Sequence, residues 1–340
     1  MQHFKDVTKE VIPMTKPVKQ NEPIVTHIYT ADPSAHVFEG KLYIYPSHDL
    51  DHEMESNDNG DQYDMEDYHV LSMEDINSPC TDHGEALHLR DIPWAKQQLW
   101  APDAAYKNNT YYLFFPARDK DDIFRLGVAT SSSPAGPFTP QPDYMPGSYS
   151  IDPAVLVDED DKAYIYFGGL WGGQLEKWQT GTFEPDADGP AANEPALGPR
   201  AAELSEDMLT FKEAPVEISI VDEDGNPLLA GDEDRRFFEG PWVHKHSGYY
   251  YLSYSTGTTH KIVYAMSKNP MGPYVYKGTI LTPVLGWTTH HSIVQFKDKW
   301  YLFYHDSSLS GGADNKRSVK FTEIKYNEDG TIQTIDPYNN

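Results

Sequence analysis

One cysteine, Cys80, is all that 340 residues contain, so no intrachain disulfide can staple this fold. Cys80 therefore reads as a small, half-buried residue. Long apolar runs are missing too. Nothing approaches the ~20 consecutive apolar residues of a membrane-spanning helix, and Met1 to Lys19 lacks the apolar stretch of a secretory leader. As it stands the sequence implies a cytoplasmic protein without a membrane partner; a secreted protein with its leader removed would read the same. Positive charge is scarce, with 27 Lys and Arg against 53 Asp and Glu and a formal net charge of -26. That balance argues against a nucleic-acid partner and against adhesion to anionic lipid. It serves solubility and is compatible with a neutral sugar polymer.

Helical periodicity is also scarce. Short aromatic or β-branched runs separated by Gly, Pro, Asn and Asp predict an all-β protein. Aromatic residues make up 13% of the chain, and Tyr occurs 23 times. Flat rings with a polar tip suit strands and also the faces of sugar rings.

One phrase recurs five times. It runs from Asp32 to Tyr45, from Pro102 to Phe115, from Asp152 to Phe167, from Glu239 to Tyr254 and from His290 to Tyr304. Each copy has a polar residue, a short apolar strand, a turn and an aromatic-rich strand, which together make a β-hairpin. A second phrase follows two of them, Val128 to Phe138 and Tyr264 to Tyr274, and reads as a third strand and outer turn. Five hairpins spread over the chain predict a five-bladed β-propeller. The polar residue always stands at the same end, which disfavours a β-sandwich. Residues 21–340 form the single propeller domain in this reading, and residues 1–20 a tail or strap. Asp49 to Asp67 and Trp178 to Pro199 read as loop insertions.

The first strand of each blade lines the central channel, so Asp32, Asp103, Asp152, Glu239 and His290 are expected to ring one mouth. Any single Asp-Pro step is an ordinary turn initiator; the shared register carries the argument. Converging carboxylates repel one another unless protonated, solvated or metal-bound. Such a set is what glycoside hydrolysis needs, with one carboxylate to activate water and one acid to protonate the leaving oxygen.

The residues that open these phrases resemble glycoside hydrolase family 43. The match lies in Ala31-Asp32-Pro33, Trp100-Ala-Pro-Asp103, Ser150-Ile-Asp152-Pro-Ala154, Phe238-Glu239-Gly-Pro241 and His290-His-Ser-Ile293, in that order. The resemblance implies a five-bladed propeller and inverting hydrolysis, with Asp32 as general base, Glu239 as general acid and Asp152 raising the acid's pKa. Tyr45-Pro-Ser-His-Asp49 and Asn59-Gly-Asp-Gln-Tyr63 look most like the branch richest in β-xylosidases. The substrate so implied is a xylo-oligosaccharide or an arabinoxylan fragment, with β-xylosidase and α-L-arabinofuranosidase activity both open. Phe38, Trp100 and Trp171 are aromatic candidates for the pocket wall, and ordinary core is their other reading. Asp103 is a substrate-binding candidate, and Arg317 resembles a late arginine that contacts substrate.

In the family a histidine at the His290 position lies near a calcium or other divalent ion. Ca²⁺ at His290, held largely by water, is therefore expected, and a direct hydrogen bond from His290 to substrate or carboxylate is the alternative. No organic cofactor is implied. His48, His52, His69, His260 and His305 read as structural or surface residues. Glu55, Asn57, Asn59, Gly60 and Glu66 fall at EF-hand spacing, but the first position wants Asp and helical flanks are missing; a solvated acidic insertion is the better reading. A non-catalytic sugar-binding propeller is the competing class. It would have no reason to retain Asp32, Asp152 and Glu239 together.

Overall fold

The computed structural model describes residues 11–339. Among them there is no α-helix, and the strands fall into five sheets arranged as five blades. The first blade runs from its inner strand Tyr29–Phe38 outward through Lys41–Asp49, Asp67–Met73 and Pro79–His88 to Ile12–Pro17. The inner strands of the other four are Asp103–Lys107, Ala154–Val157, Glu239–His246 and His291–Phe296. These inner strands are neighbours around one axis, and Tyr29–Phe38 touches both Asp103–Lys107 and His291–Phe296.

Packing explains why the second strand of each blade is so aromatic. Period-2 alternation sends its side chains to two opposite faces, and in a propeller both faces are covered by a neighbouring blade. Leu42 and Ile44 join Phe303 and Phe321 between blades one and five, while Tyr43 and Tyr45 join Leu113 and Phe115 between blades one and two. Phe114 meets Ile165 and Phe167 between blades two and three, and Tyr164 and Tyr166 meet Leu252 and Tyr254 between blades three and four. Tyr251 and Tyr264 meet Leu302 and Tyr304 between blades four and five. Five clusters thus fill five interfaces. Each large apolar side chain buried there contributes about 1.5–3 kcal/mol.

The ring closes between the two ends of the chain. The fifth blade has three strands, ending in Ser318–Ile324. Alongside it the early chain donates Asn21 N–H to Phe321 O and Ile24 N–H to Val319 O, both at 2.9 Å. Within residues 1–20, the described part includes Ile12–Pro17, which pairs antiparallel with Pro79–His88 as the outer strand of the first blade.

Candidate active site

Three inner strands begin with one device, a carboxylate followed at once or after one residue by proline. Proline has no N–H to donate, so it is tolerated where the ladder is broken. Pairing jumps from Ala31–Ser47 to Ser34–Tyr45 across Asp32-Pro33, and from Glu239–Ser255 to Trp242–Ser253 across Gly240-Pro241. Each jump is a β-bulge, which re-aims a side chain at the rim of a sheet. Asp32, Asp152 and Gly240 have φ of +48°, +56° and +63°. Aspartate is among the few side chains that tolerate this left-handed region. At Gly240 a Cβ would stand 3.0 Å from the His290 ring, so glycine suits the position twice over.

The two bulges, and the turn at Asp152 just before the strand Ala154–Val157, bring Asp32, Asp152 and Glu239 into one pocket of about 290 Å³, which His290, Trp100, Trp171 and Arg317 also line. The acidic insertion between Asp49 and Asp67 forms another wall through Asn57, Gly60 and Tyr63. Gly60, at φ +75°, lets Trp100 lie against the backbone, because a Cβ there would be 2.5 Å from the indole.

Asp32 is buried, which by itself raises a carboxyl pKa. Its partners outweigh burial. Arg317 Nη1 donates to Oδ1 at 3.1 Å and Ser47 Oγ donates to Oδ2 at 2.6 Å. The result is a pKa brought down to about 2, with the Arg317 charge as the largest lowering cause. The backbone N–H of Asp32 donates to His305 Nδ1 at 2.9 Å, and His305 Nε2–H donates to Thr288 O at 3.0 Å. Burial, helped by Arg317, takes His305 down to about 4, so the ring is neutral and holds one tautomer. Arg317 is clamped in turn by Asp49, with Nε and Nη2 donating at 2.9 and 2.8 Å.

Glu239 faces the opposite environment. It keeps part of its surface open to the pocket, yet the walls around it desolvate the carboxyl. Burial first, and then the negative charge of Asp32, push its pKa up to about 8 against the pull of Arg317. Asp152 is raised as well, by burial and then by Glu239 and Asp32. The negative charge of either one disfavours ionisation of the other. Gly240 N–H donates to Asp152 Oδ2 at 3.0 Å, which favours the ionised form there. No donor among the described residues reaches the Glu239 carboxylate, so the proton rests on Glu239.

His290 Nδ1 accepts the His291 N–H at 2.9 Å. Its Nε2 is buried without a hydrogen-bond partner and stands 3.8 Å from Asp152 Oδ2. Burial lowers its pKa, so the ring is neutral. Trp171 is 43% exposed and stacks on Trp287 at 6.0 Å with 13° between the planes. His260 steadies that pair by donating Nδ1–H to Trp287 O at 2.7 Å.

Two sequence-based candidates lie elsewhere. Phe38 stands six residues along the strand from Asp32, about 20 Å at ~3.3 Å per residue. Its ring packs on His36 at 5.4 Å and Tyr111 at 5.3 Å, in the core between blades one and two. Asp103 does not line the pocket either. Asp103 is itself paired in the ladder, opposite Phe114, and its carboxylate stays inside the channel, 1% exposed. There it accepts His36 Nε2–H at 2.6 Å, Val155 N–H at 2.5 Å and the Ser34 hydroxyl, tying three blades together. The mouth is therefore ringed by four of the five opening residues. Sequence reasoning missed Ser47, Asp49, Thr288 and His305 as partners of Asp32 and Arg317. Ser47 and Asp49 were visible only as part of a family-like phrase, and His305 had no pattern around it.

The comparisons with known proteins agree with this geometry. The model for glycosyl hydrolases family 43 matches residues 20–332. A xylosidase/arabinosidase of Humicola insolens is 59% identical over 324 residues, covering 93% of this chain and 99% of the relative. A β-xylosidase of Xylanibacter ruminicola is 48% identical, covering 90% and 97%. A family 43 β-xylosidase/α-arabinofuranosidase from a compost microbial metagenome, solved with xylotriose in a calcium-free form, superposes with a TM-score of 0.94 at 62% identity, covering 97% of this chain and 100% of that one. The chain, a five-bladed β-propeller with three convergent carboxylates at one mouth, belongs to glycosyl hydrolases family 43.

Proposed function

We propose that the protein is an exo-acting β-1,4-xylosidase that releases xylose from xylo-oligosaccharides with inversion at the anomeric carbon. The observation that carries this is the contrast between two carboxyls in one small pocket: Arg317 and Ser47 donate to Asp32 and favour its ionised form, while Glu239 is walled in beside that charge, which favours its neutral form. In the proposed reaction Asp32 takes a proton from a water, and the water oxygen bonds to the anomeric carbon. The glycosidic C–O bond breaks, and its oxygen takes the Glu239 proton. Inversion needs the two groups about 6.5–9.5 Å apart, with room for that water between them. Asp152 supports the acid by keeping negative charge beside it. Arg317 holds Asp32 ionised and is available to sugar hydroxyls. The Trp171–Trp287 pair offers an apolar face to a second sugar ring.

α-L-Arabinofuranosidase activity in the same pocket is the second reading. It is favoured by the double name of the relative at 59% identity and of the solved relative at 62%. A pure binding module is disfavoured, because a sugar-binding surface gains nothing from an acid held neutral beside an ionised base.

The divalent ion belongs to this proposal too. The buried, unpartnered His290 Nε2 among carboxylates is an atom an ion could use. Ligation there would shift the ring proton to Nδ1 and give up the His291 contact, which suits a weakly held ion carried mostly by water. Bound near His290, Ca²⁺ would reduce repulsion between Asp32 and Asp152 and favour ionised Asp32.

Nitrophenyl β-xyloside and nitrophenyl α-L-arabinofuranoside assayed side by side test the substrate, with the xyloside expected to be faster. A reversed ratio moves the assignment to arabinofuranosidase, and no turnover of either refutes the hydrolase. Proton NMR of xylobiose hydrolysis should show α-xylose first, and β-xylose first refutes inversion.

A further inference from the structure

Outside the pocket, the first blade carries a second cluster of titratable groups that the reaction does not use. His48 lies on Lys41–Asp49, His69 and Asp67 on Asp67–Met73, and Asp82 on Pro79–His88. The candidate ligand atoms of His48, Asp67 and His69 all lie within 4.8 Å of one another. His48 Nδ1 is 2.6 Å from Asp67 Oδ1, and His69 Nε2 is 3.5 Å from Asp67 Oδ2. Behind them Asp82 takes His69 Nδ1 at 2.9 Å and His27 Nε2 at 2.8 Å. All three side chains keep a little surface, 17%, 13% and 16%, so an ion could enter from solvent.

The hydrogen bonds of His69 make this more than a cluster of polar groups. Asp82 accepts the Nδ1 proton, which leaves the Nε2 lone pair of a neutral ring pointing at the Asp67 carboxylate. A lone pair and a carboxylate oxygen repel unless a cation lies between them. That cation is either a second proton on His69 or a metal ion. A carboxylate behind a histidine, orienting its ring and raising its basicity, is the usual backing of a metal-bound imidazole. Ligands 2.0–2.1 Å from a tetrahedral ion stand about 3.3 Å apart, close to the 3.5 Å His69–Asp67 spacing, while the 2.6 Å His48–Asp67 hydrogen bond would open as the ion displaces its proton. Two imidazoles and one carboxylate favour Zn²⁺ and its first-row neighbours over Ca²⁺.

We propose that His48, Asp67 and His69 form a site for a first-row divalent metal such as Zn²⁺, with Asp82 as its backing carboxylate and a fourth position open to water. The site is separate from His290.

The test uses full-length protein stripped with chelator and titrated with Zn²⁺ against a chromophoric zinc indicator, with no activity readout. Wild type and His290→Ala should each take up about one equivalent. His48→Gln and His69→Gln should lose it, and Asp82→Asn should bind about 10–100-fold more weakly. Co²⁺ should give the intense visible bands of a tetrahedral site in wild type and not in His48→Gln. If His69→Gln does not fold, His48→Gln, at the edge of the cluster, decides. No uptake by wild type, or uptake lost in His290→Ala and kept in His48→Gln, overturns the proposal and leaves His69 as a protonated bridge between two aspartates.

Discussion

Replacing Glu239 with Gln should make the protein more stable while it removes the acid. Holding a carboxyl at about 8 instead of its ordinary 4.5 favours its neutral form by about 5 kcal/mol, at ~1.4 kcal/mol per unit. The sign follows from linkage. A raised carboxyl costs the folded state nothing below the unfolded pKa, and the cost grows as pH rises from 4.5 to about 8. Glutamine is neutral at every pH and escapes that cost. The advantage of the variant should then be about 1 kcal/mol at pH 5 and about 4 kcal/mol at pH 8. A chain of 340 residues shifts its melting midpoint by about 1.4 °C per kcal/mol. Thermal melts of both proteins should therefore differ by about 1 °C at pH 5 and about 6 °C at pH 8. Glu239 also raises Asp152, so part of this gain is read through the return of Asp152 toward its ordinary range. A difference that is flat with pH, or that shrinks as pH rises, would falsify the claim that the buried pair holds its proton on Glu239.

The same variant should lose most activity on xylobiose and keep more on activated aryl xylosides, which need less protonation of the leaving group; equal losses on both mean that Glu239 is not the acid. In the wild type kcat/KM should fall as pH drops through the Asp32 value of about 2 and as it rises through the Glu239 value of about 8. Ser47→Ala removes one hydrogen bond to a charged group, worth about 1.5–3 kcal/mol. It should raise the acidic limb by about one to two units and leave the alkaline limb in place, and an unmoved acidic limb would show that Ser47 does not tune Asp32. Exhaustive chelation should lower activity, added Ca²⁺ should restore it, and His290→Ala should abolish that response; full activity in chelator rules out the ion at His290.

Much of this was legible in the residues themselves. Blade number follows from five copies of one hairpin phrase, because each copy must place a polar residue at the axis and an apolar pair of strands behind it. Asp32, Asp152 and Glu239 stood out because each opens its phrase in the same register and stands in a motif that resembles family 43. Other assignments depended on register that no local pattern records. Phe38 belongs to the same phrase as Asp32, but strand rise carries it about 20 Å from the mouth. Asp103 opens its phrase like the others, yet it is paired in the ladder opposite Phe114, and its carboxylate stays inside the channel and ties His36 to Val155. The titration split between Asp32 and Glu239 also needed tertiary structure. Arg317 lies 285 positions from Asp32 in sequence, and Asp49 clamps it from 268 positions away. Hairpins and bulges arise from neighbouring residues and can be read along the chain. A pKa depends on charges and burial brought together across blades, and those distances exist only once the ring has closed.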